Sequence, residues 1–211
     1  MSYNGSAFSG WQIQENANSV QAELQKALST LLRQPIEVVG AGRTDAGVNA
    51  RNYIAHFNYN GNMPDQPHTI YKLNAILPKE ISIHSVWPVA EDMHARFSAT
   101  SRTYKYYIHT EKDPFCSEFS YFLPPRLDFE KMNQAAKYFI GEQDFTSLEK
   151  LGADNKTSIC NVTQAYWEPL DAPTFGQASH FVFTVTANRF LRNMVRAMVG
   201  SLLDVGFGKK D

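Results

Sequence analysis

Residues 40–50 read GAGRTDAGVNA. The string sets a carboxylate, Asp45, two residues from a guanidinium, Arg43, amid Gly40, Gly42 and Gly47. Glycines permit positive φ and close backbone approach, so a ligand has room to lie against such a loop. An adjacent cation favours the ionised carboxylate while burial opposes it, so a buried Asp45 that stays anionic needs a partner such as Arg43. Read on its own, the string serves equally as a strand-connecting turn whose Asp caps backbone amides. Its flanks make it a connection: residues 36–39 are β-branched in character, and Tyr53, Ala55, Phe57 and Tyr59 alternate like one face of a strand.

Working outward, Asn18 with Gln21 reads as a capping box, and Val20, Leu24, Ala27, Leu28 and Leu31 keep helical spacing until Pro35. A short helix is expected over residues 70–76, and Ile81 and Ile83 begin a strand. Residues 102–110 alternate, with Tyr104, Tyr106 and Ile108 on one face. A loop rich in proline and aromatics leads to Asp128, which caps a second helix stopped by Gly141. Strands follow near residues 159–167 and 180–187. The last helix carries an apolar stripe of Leu191, Met194, Val195, Met198, Val199, Leu202 and Leu203, with Arg189, Arg192 and Arg196 away from its centre, and ends at Gly206. This rhythm predicts an α+β fold: a pair of lobes, residues 1–95 with the Asp45 loop and residues 96–211, sharing one sheet.

Composition narrows the function classes. The chain has 211 residues, 43% apolar and 19% charged, enough apolar surface to offset the ordering entropy of a folded domain. The opening MSYNGSAFSGW lacks the basic and apolar regions of a secretory signal. The longest apolar stretch, residues 194–205, contains Arg196 and Asp204 and falls short of the ~20 residues that span a bilayer. A soluble, cytoplasmic protein with no membrane partner is therefore expected. Cys116 and Cys160 stand apart, and His56, His68, His84, His94, His109 and His180 occur singly, so neither a disulfide nor a metal site is expected. The net charge of −1 disfavours an extended nucleic-acid arm but leaves room for a local basic cleft. A phosphatase with a carboxylate nucleophile is disfavoured, because the loop lacks a second nearby Asp for magnesium.

AGRTDAGVNA resembles the GRTDxGVHA signature of TruA-type tRNA pseudouridine synthases. GSAFSGWQIQ, HARFSATSRTYKYYI, GEQDFTSL and NRFLRNMVRAMVGSLLDVGFGK resemble further segments of that family in the same order, so the likeness covers nearly the whole chain. The resemblance implies the pseudouridine synthase fold, two similar α+β lobes with helices packed on a mixed or antiparallel sheet. It also implies that the chain is truncated at both ends, since the family normally has a strand before Tyr3 and further structure after Lys210. Asp45 then matches the catalytic aspartate, Tyr104 the active-site tyrosine, Arg43 the signature arginine, and Arg196 the basic residue held near the carboxylate. Tyr104, Arg43 and Asn49 are the expected substrate-binding residues. Asn49 replaces the signature's histidine, keeping a hydrogen-bonding side chain but losing the ring.

The resemblance further implies a cofactor-independent isomerase and a homodimer that binds the anticodon stem-loop of tRNA in a basic cleft. Pseudouridine formation breaks the bond from uracil N1 to ribose C1′ and rejoins the turned base through C5. A carboxylate serves either by attacking C1′ or by removing the 2′ proton. The base must leave its stack, and an aromatic face such as Tyr104 suits it. The alternative expectation is a catalytically impaired RNA-binding fragment of the same scaffold, motivated by Asn49 and the short termini.

Overall fold

Ser19 starts the first helix: its hydroxyl oxygen accepts from Ala22 N–H at 3.3 Å, satisfying one of the amides a helix leaves unpaired at its N-terminus. The expected Asn18–Gln21 box does not form, because Gln21 is engaged elsewhere. Its amide donates to Val38 C=O at 2.7 Å and its side-chain oxygen accepts from Ile13 N–H at 3.0 Å, tying the helix to its neighbours. The computed structural model describes residues 1–123, 126–150, 152, 157–170 and 179–210; Pro124 and Pro125, part of the expected proline-rich loop, lie outside them. The chain divides into two units, Met1–Ala99 and Thr100–Asp211.

The first unit runs β1 (Ser2–Tyr3), α1 (Val20–Leu32), β2 (Val38–Gly40), β3 (Ala55–Phe57), α2 (Gln66–Ile76) and β4 (Ile81–Ser82). β1 pairs with β4 and β2 with β3, both antiparallel. α1 ends at Arg33, which takes the left-handed conformation at φ 56° before Pro35. α2 begins earlier than its apolar spacing suggests, because Asp65 accepts from His68 N–H and Pro67 suits the first turn. Val20, Leu24, Ala27 and Leu28 of α1 and Leu73 of α2 are buried with Tyr3, Trp11, Val38 and Ile81.

The second unit runs β5 (Arg102–His109), β6 (Tyr121–Phe122), α3 (Phe129–Ala136), β7 (Gly141–Asp144), β8 (Ile159–Pro169), β9 (His180–Ala187) and α4 (Met194–Gly206). Its strands form one sheet in the order β6-β5-β9-β8-β7, antiparallel except for the β5–β6 pair. Among the described residues, strand pairing therefore gives two short ladders and one five-stranded sheet, in place of a single shared sheet. A bulge between Val162 and Gln164 resets the alternation of β8, so that Cys160 and Val162 before it and Ala165 and Trp167 after it are all buried. Met132 and Ala136 of α3 and Met194, Met198 and Leu202 of α4 complete this core.

Two expected ends differ. α3 gives way to a 3-10 turn at Lys137–Phe139, and Gly141, at φ 108°, opens β7 instead of closing the helix. Leu191 is buried but precedes α4, which Asn193 enters through a left-handed residue at φ 69°. Asn tolerates that conformation better than most residues. No helix among the described residues is long and apolar enough to cross a membrane.

The HARF segment is fastened within the first unit by two imidazoles. His56 Nδ1 accepts from Ala95 N–H at 3.1 Å, and His94 Nδ1 accepts from Arg96 N–H at 3.1 Å and Phe97 N–H at 3.3 Å. The two rings meet edge to face at 4.7 Å. Each imidazole must be unprotonated at Nδ1 to accept. Burial, and then the nearby His94, lower the pKa of His56 from its ordinary 6.5. The folded state thus binds its proton less readily than the unfolded chain, so the His56 contribution is complete above that ordinary value and is lost as pH falls through the lowered one. Protection of the Ala95 amide from hydrogen exchange should be complete above the ordinary imidazole value of 6.5 and fall as pH drops below it, while amides inside α1 keep theirs. A protection factor at Ala95 that stays constant as pH falls below that value would dismiss the latch.

Candidate active site

Gly5 and Gly10 bring the N-terminal segment into backbone contact with the Asp45 loop. A Cβ on Gly5 would lie 2.2 Å from Val48 O, and one on Gly10, at φ 100°, would lie 2.4 Å from Thr44 O. Hydrogen bonds then stitch the two strands of chain together. Trp11 N–H donates to Thr44 C=O at 3.1 Å, Tyr3 and Ala50 exchange two backbone bonds at 2.9 and 3.0 Å, and the Tyr3 hydroxyl meets the Thr44 hydroxyl at 2.9 Å. Asn49 Oδ1 accepts from Gly5 N–H at 2.8 Å, so this side chain anchors the loop from its far end. Beneath the loop Trp11 is buried, with its ring centroid 4.4 Å from that of Tyr53, whose hydroxyl donates to Gly42 C=O.

What this frame leaves outside is Arg43 and Asp45, both exposed. Among the described residues they form no ion pair with each other, so the expected need for a cationic partner lapses: an exposed carboxylate keeps water as its solvent. A Cβ on Gly42 or Gly47 would meet nothing within 4 Å, which leaves the space for a ligand that their positions suggest, whereas Gly40 is closed off by Trp11 and Tyr53.

The other expected site residues belong to the second unit. Tyr104 lies on β5 opposite Val185 of β9, half-buried, with its ring edge-on to Phe190 at 4.9 Å and 77°. Tyr106 shares its face. Burial, and then Tyr121, push the Tyr106 phenol up, against the opposing pull of the Arg196 charge. Arg196, exposed on α4, thus stands within electrostatic reach of the strand face that carries Tyr104 and Tyr106. Sequence spacing picks out Tyr104 but not Phe190, because the contact depends on the turn of chain between β9 and α4.

The second unit also holds a constellation that sequence order conceals. Asp113, Cys116 and His180 converge, with ligand-capable atoms all within 4.8 Å of one another. The Phe115 amide foremost, and His180 with it, hold the Asp113 carboxyl below the usual range, while burial and the Asp113 charge push the Cys116 thiol up.

The chain is similar to known proteins along nearly its whole length. A family profile described as tRNA pseudouridine synthase matches residues 135–211. Over 209 residues the chain is 50% identical to a tRNA pseudouridine synthase A of Parabacteroides distasonis, covering 99% of this chain and 80% of that protein. It is 51% identical to the protein of that name from Bacteroides fragilis, covering 99% and 81%, and 40% identical to that from Shewanella amazonensis, covering 99% and 77%.

The contact at Gly10 gives a direct test of the frame. Gly10→Ala should destabilise the protein by about 1–3 kcal/mol, the usual cost of forcing a side chain into a disallowed backbone conformation. Thermal or urea unfolding measures it, and a variant as stable as the parent would show that the loop does not depend on this approach.

Proposed function

The chain belongs to the TruA-type tRNA pseudouridine synthase family, and from that membership we propose that it isomerises uridine in the anticodon arm of tRNA, at positions 38 to 40, with Asp45 as the catalytic carboxylate. The observation that carries the reading is the loop of residues 40–50, fastened from behind while its carboxylate stands exposed. A nucleophile or base held on a rigid backbone loses little entropy when the sugar arrives.

Each site residue then has work to do. Asp45 either attacks C1′ as the N1–C1′ bond breaks or takes the 2′ proton to give a glycal. Either route returns the uracil through C5, moves the C5 proton away and leaves a proton on N1, so the net change is an isomerisation without a cofactor. Arg43, beside Asp45 in the loop, offers a fixed fork for phosphate or for the carboxylate. Asn49 positions the loop through Gly5. Tyr104 offers its ring to the flipped uracil and its hydroxyl to the proton at C5, with Phe190 holding the ring's plane. Arg196 supplies positive charge on the same strand face. We read the working form as a cytoplasmic homodimer.

Asp45→Asn should lose turnover while retaining tRNA binding, because phosphate contacts supply most of the affinity. Pseudouridine mapping at single-base resolution, with a parallel binding assay, reads both. Appreciable product from Asp45→Asn removes the carboxylate from its role, and a parent chain that binds tRNA without forming pseudouridine is an impaired scaffold.

Tyr104 separates stacking from proton transfer. Tyr104→Phe should bind tRNA normally and turn over ~10² to 10⁴-fold more slowly, and Tyr104→Leu should in addition lose roughly 1 to 3 kcal/mol of binding. Single-turnover rates and affinities decide, and two variants indistinguishable from the parent would make Tyr104 a packing residue.

A further inference from the structure

Asp113, Cys116 and His180 offer a carboxylate oxygen, a thiol sulfur and an imidazole nitrogen to a single point. Asp113 Oδ2 lies 3.2 Å and Cys116 Sγ 3.6 Å from His180 Nε2, and all three atoms fall within 4.8 Å of one another. In a tetrahedral zinc site with bonds of about 2.0–2.3 Å, neighbouring ligand atoms are about 3.3–3.7 Å apart. The two separations at His180 therefore come close to two edges of such a tetrahedron. This is the only such group of three among the described residues.

The surroundings orient each donor. Phe115 N–H donates to Asp113 Oδ1 at 2.8 Å, which turns Oδ2 toward His180. Ser179 Oγ lies 3.0 Å from His180 Nδ1, so Nε2 is the nitrogen that faces Asp113 and Cys116; such outer partners fix the imidazole of metal sites. Cys116 C=O accepts from Phe119 N–H at 2.9 Å and Ser120 N–H at 3.0 Å, closing a turn, and Ser120 Oγ reaches His109 Nδ1 at 3.0 Å. The His109 and His180 rings stack at 5.9 Å and 12°. The side chains of Asp113 and His180 are 29% and 26% exposed, enough for an ion to reach them from solvent.

We propose that Asp113, Cys116 and His180 bind one zinc ion, with water as the fourth ligand, and that this ion clamps the turn after β5 to the start of β9. Binding replaces the Cys116 thiol proton, which leaves to solvent, with the metal. The site takes no part in uridine chemistry. His180 pairs with His109, whereas Tyr104 pairs with Val185, five residues further along β9, roughly 17 Å at about 3.4 Å per residue. The inference is thus separate from the proposed function.

The test uses the whole chain, stripped with a chelator and titrated with cobalt, then with zinc against a chromophoric chelator. One ion per chain should bind, cobalt should show a thiolate charge-transfer band, and stripping should lower thermal stability without changing uridine turnover. Cys116→Ser should abolish the band and weaken zinc binding at least ~100-fold, since even outer partners change affinity about 10- to 100-fold. Asp113→Asn should weaken it as well, and Cys160→Ser should leave band and affinity intact. Should Cys116→Ser fail to fold, zinc must instead slow alkylation of Cys116 in the parent chain. Absence of saturable one-to-one binding, unchanged affinity in Cys116→Ser, or an alkylation rate indifferent to zinc would overturn the proposal and reduce the group to a hydrogen-bonded His–Asp pair beside a thiol.

Discussion

Two stretches of backbone lie against each other in the first unit with no room for a side chain between them. Gly5 presses on Val48 and Gly10 on Thr44, each at a distance that a single Cβ would make impossible. Amides and carbonyls at this range must pair or remain unsatisfied, and they pair across Trp11, Thr44, Tyr3 and Ala50. The rings of Tyr3, Trp11 and Tyr53, tilted or edge-on to one another, fill the space below. The consequence is a loop that is rigid at its back and open at its front, where Arg43 and Asp45 stand.

The second unit solves a different problem, how to hold aromatic rings half in a core. Its sheet is long enough for β5 to bury Ile108 completely while Tyr104 and Tyr106 are only partly covered. The bulge in β8 keeps one apolar face against α3 and α4 despite the extra residue. Three methionines, Met132, Met194 and Met198, fill the contact between these helices and the sheet, as suits a flexible side chain in an irregular gap. The β5–β9 ladder therefore has two unlike ends, one with Tyr104 near Phe190 and the other with His109 and His180 stacked beside Cys116.

The pairing of polar groups also gives Asn49 a structural task at the position where the resembled signature has histidine. The position offers Gly5 N–H an acceptor, and the Asn49 amide oxygen fills that role. What the substitution removes is a titratable ring, which the loop's anchoring does not use.

Much of this was legible in the sequence because it is local. Helical spacing marks the buried face of α1 and alternation marks β5, since 3.6- and 2-residue periods follow from backbone geometry alone. The composition of residues 40–50 marks a connecting loop that carries Arg43 and Asp45, and ordered likeness along the chain supplies the family. The cap falls at Ser19 and not at Asn18, a distinction the sequence does not make because the two are chemically equivalent as caps, and only packing shows that Gln21 reaches Val38. The role of Asn49, the contact of Tyr104 with Phe190, the exposure of Asp45 and the meeting of Asp113 and Cys116 with His180 rest on contacts between residues far apart in the chain, or on how the fold covers them. No local period or spacing encodes such contacts, so the sequence determined which elements form and which reactive side chains they carry, and tertiary structure alone decided which side chains face one another.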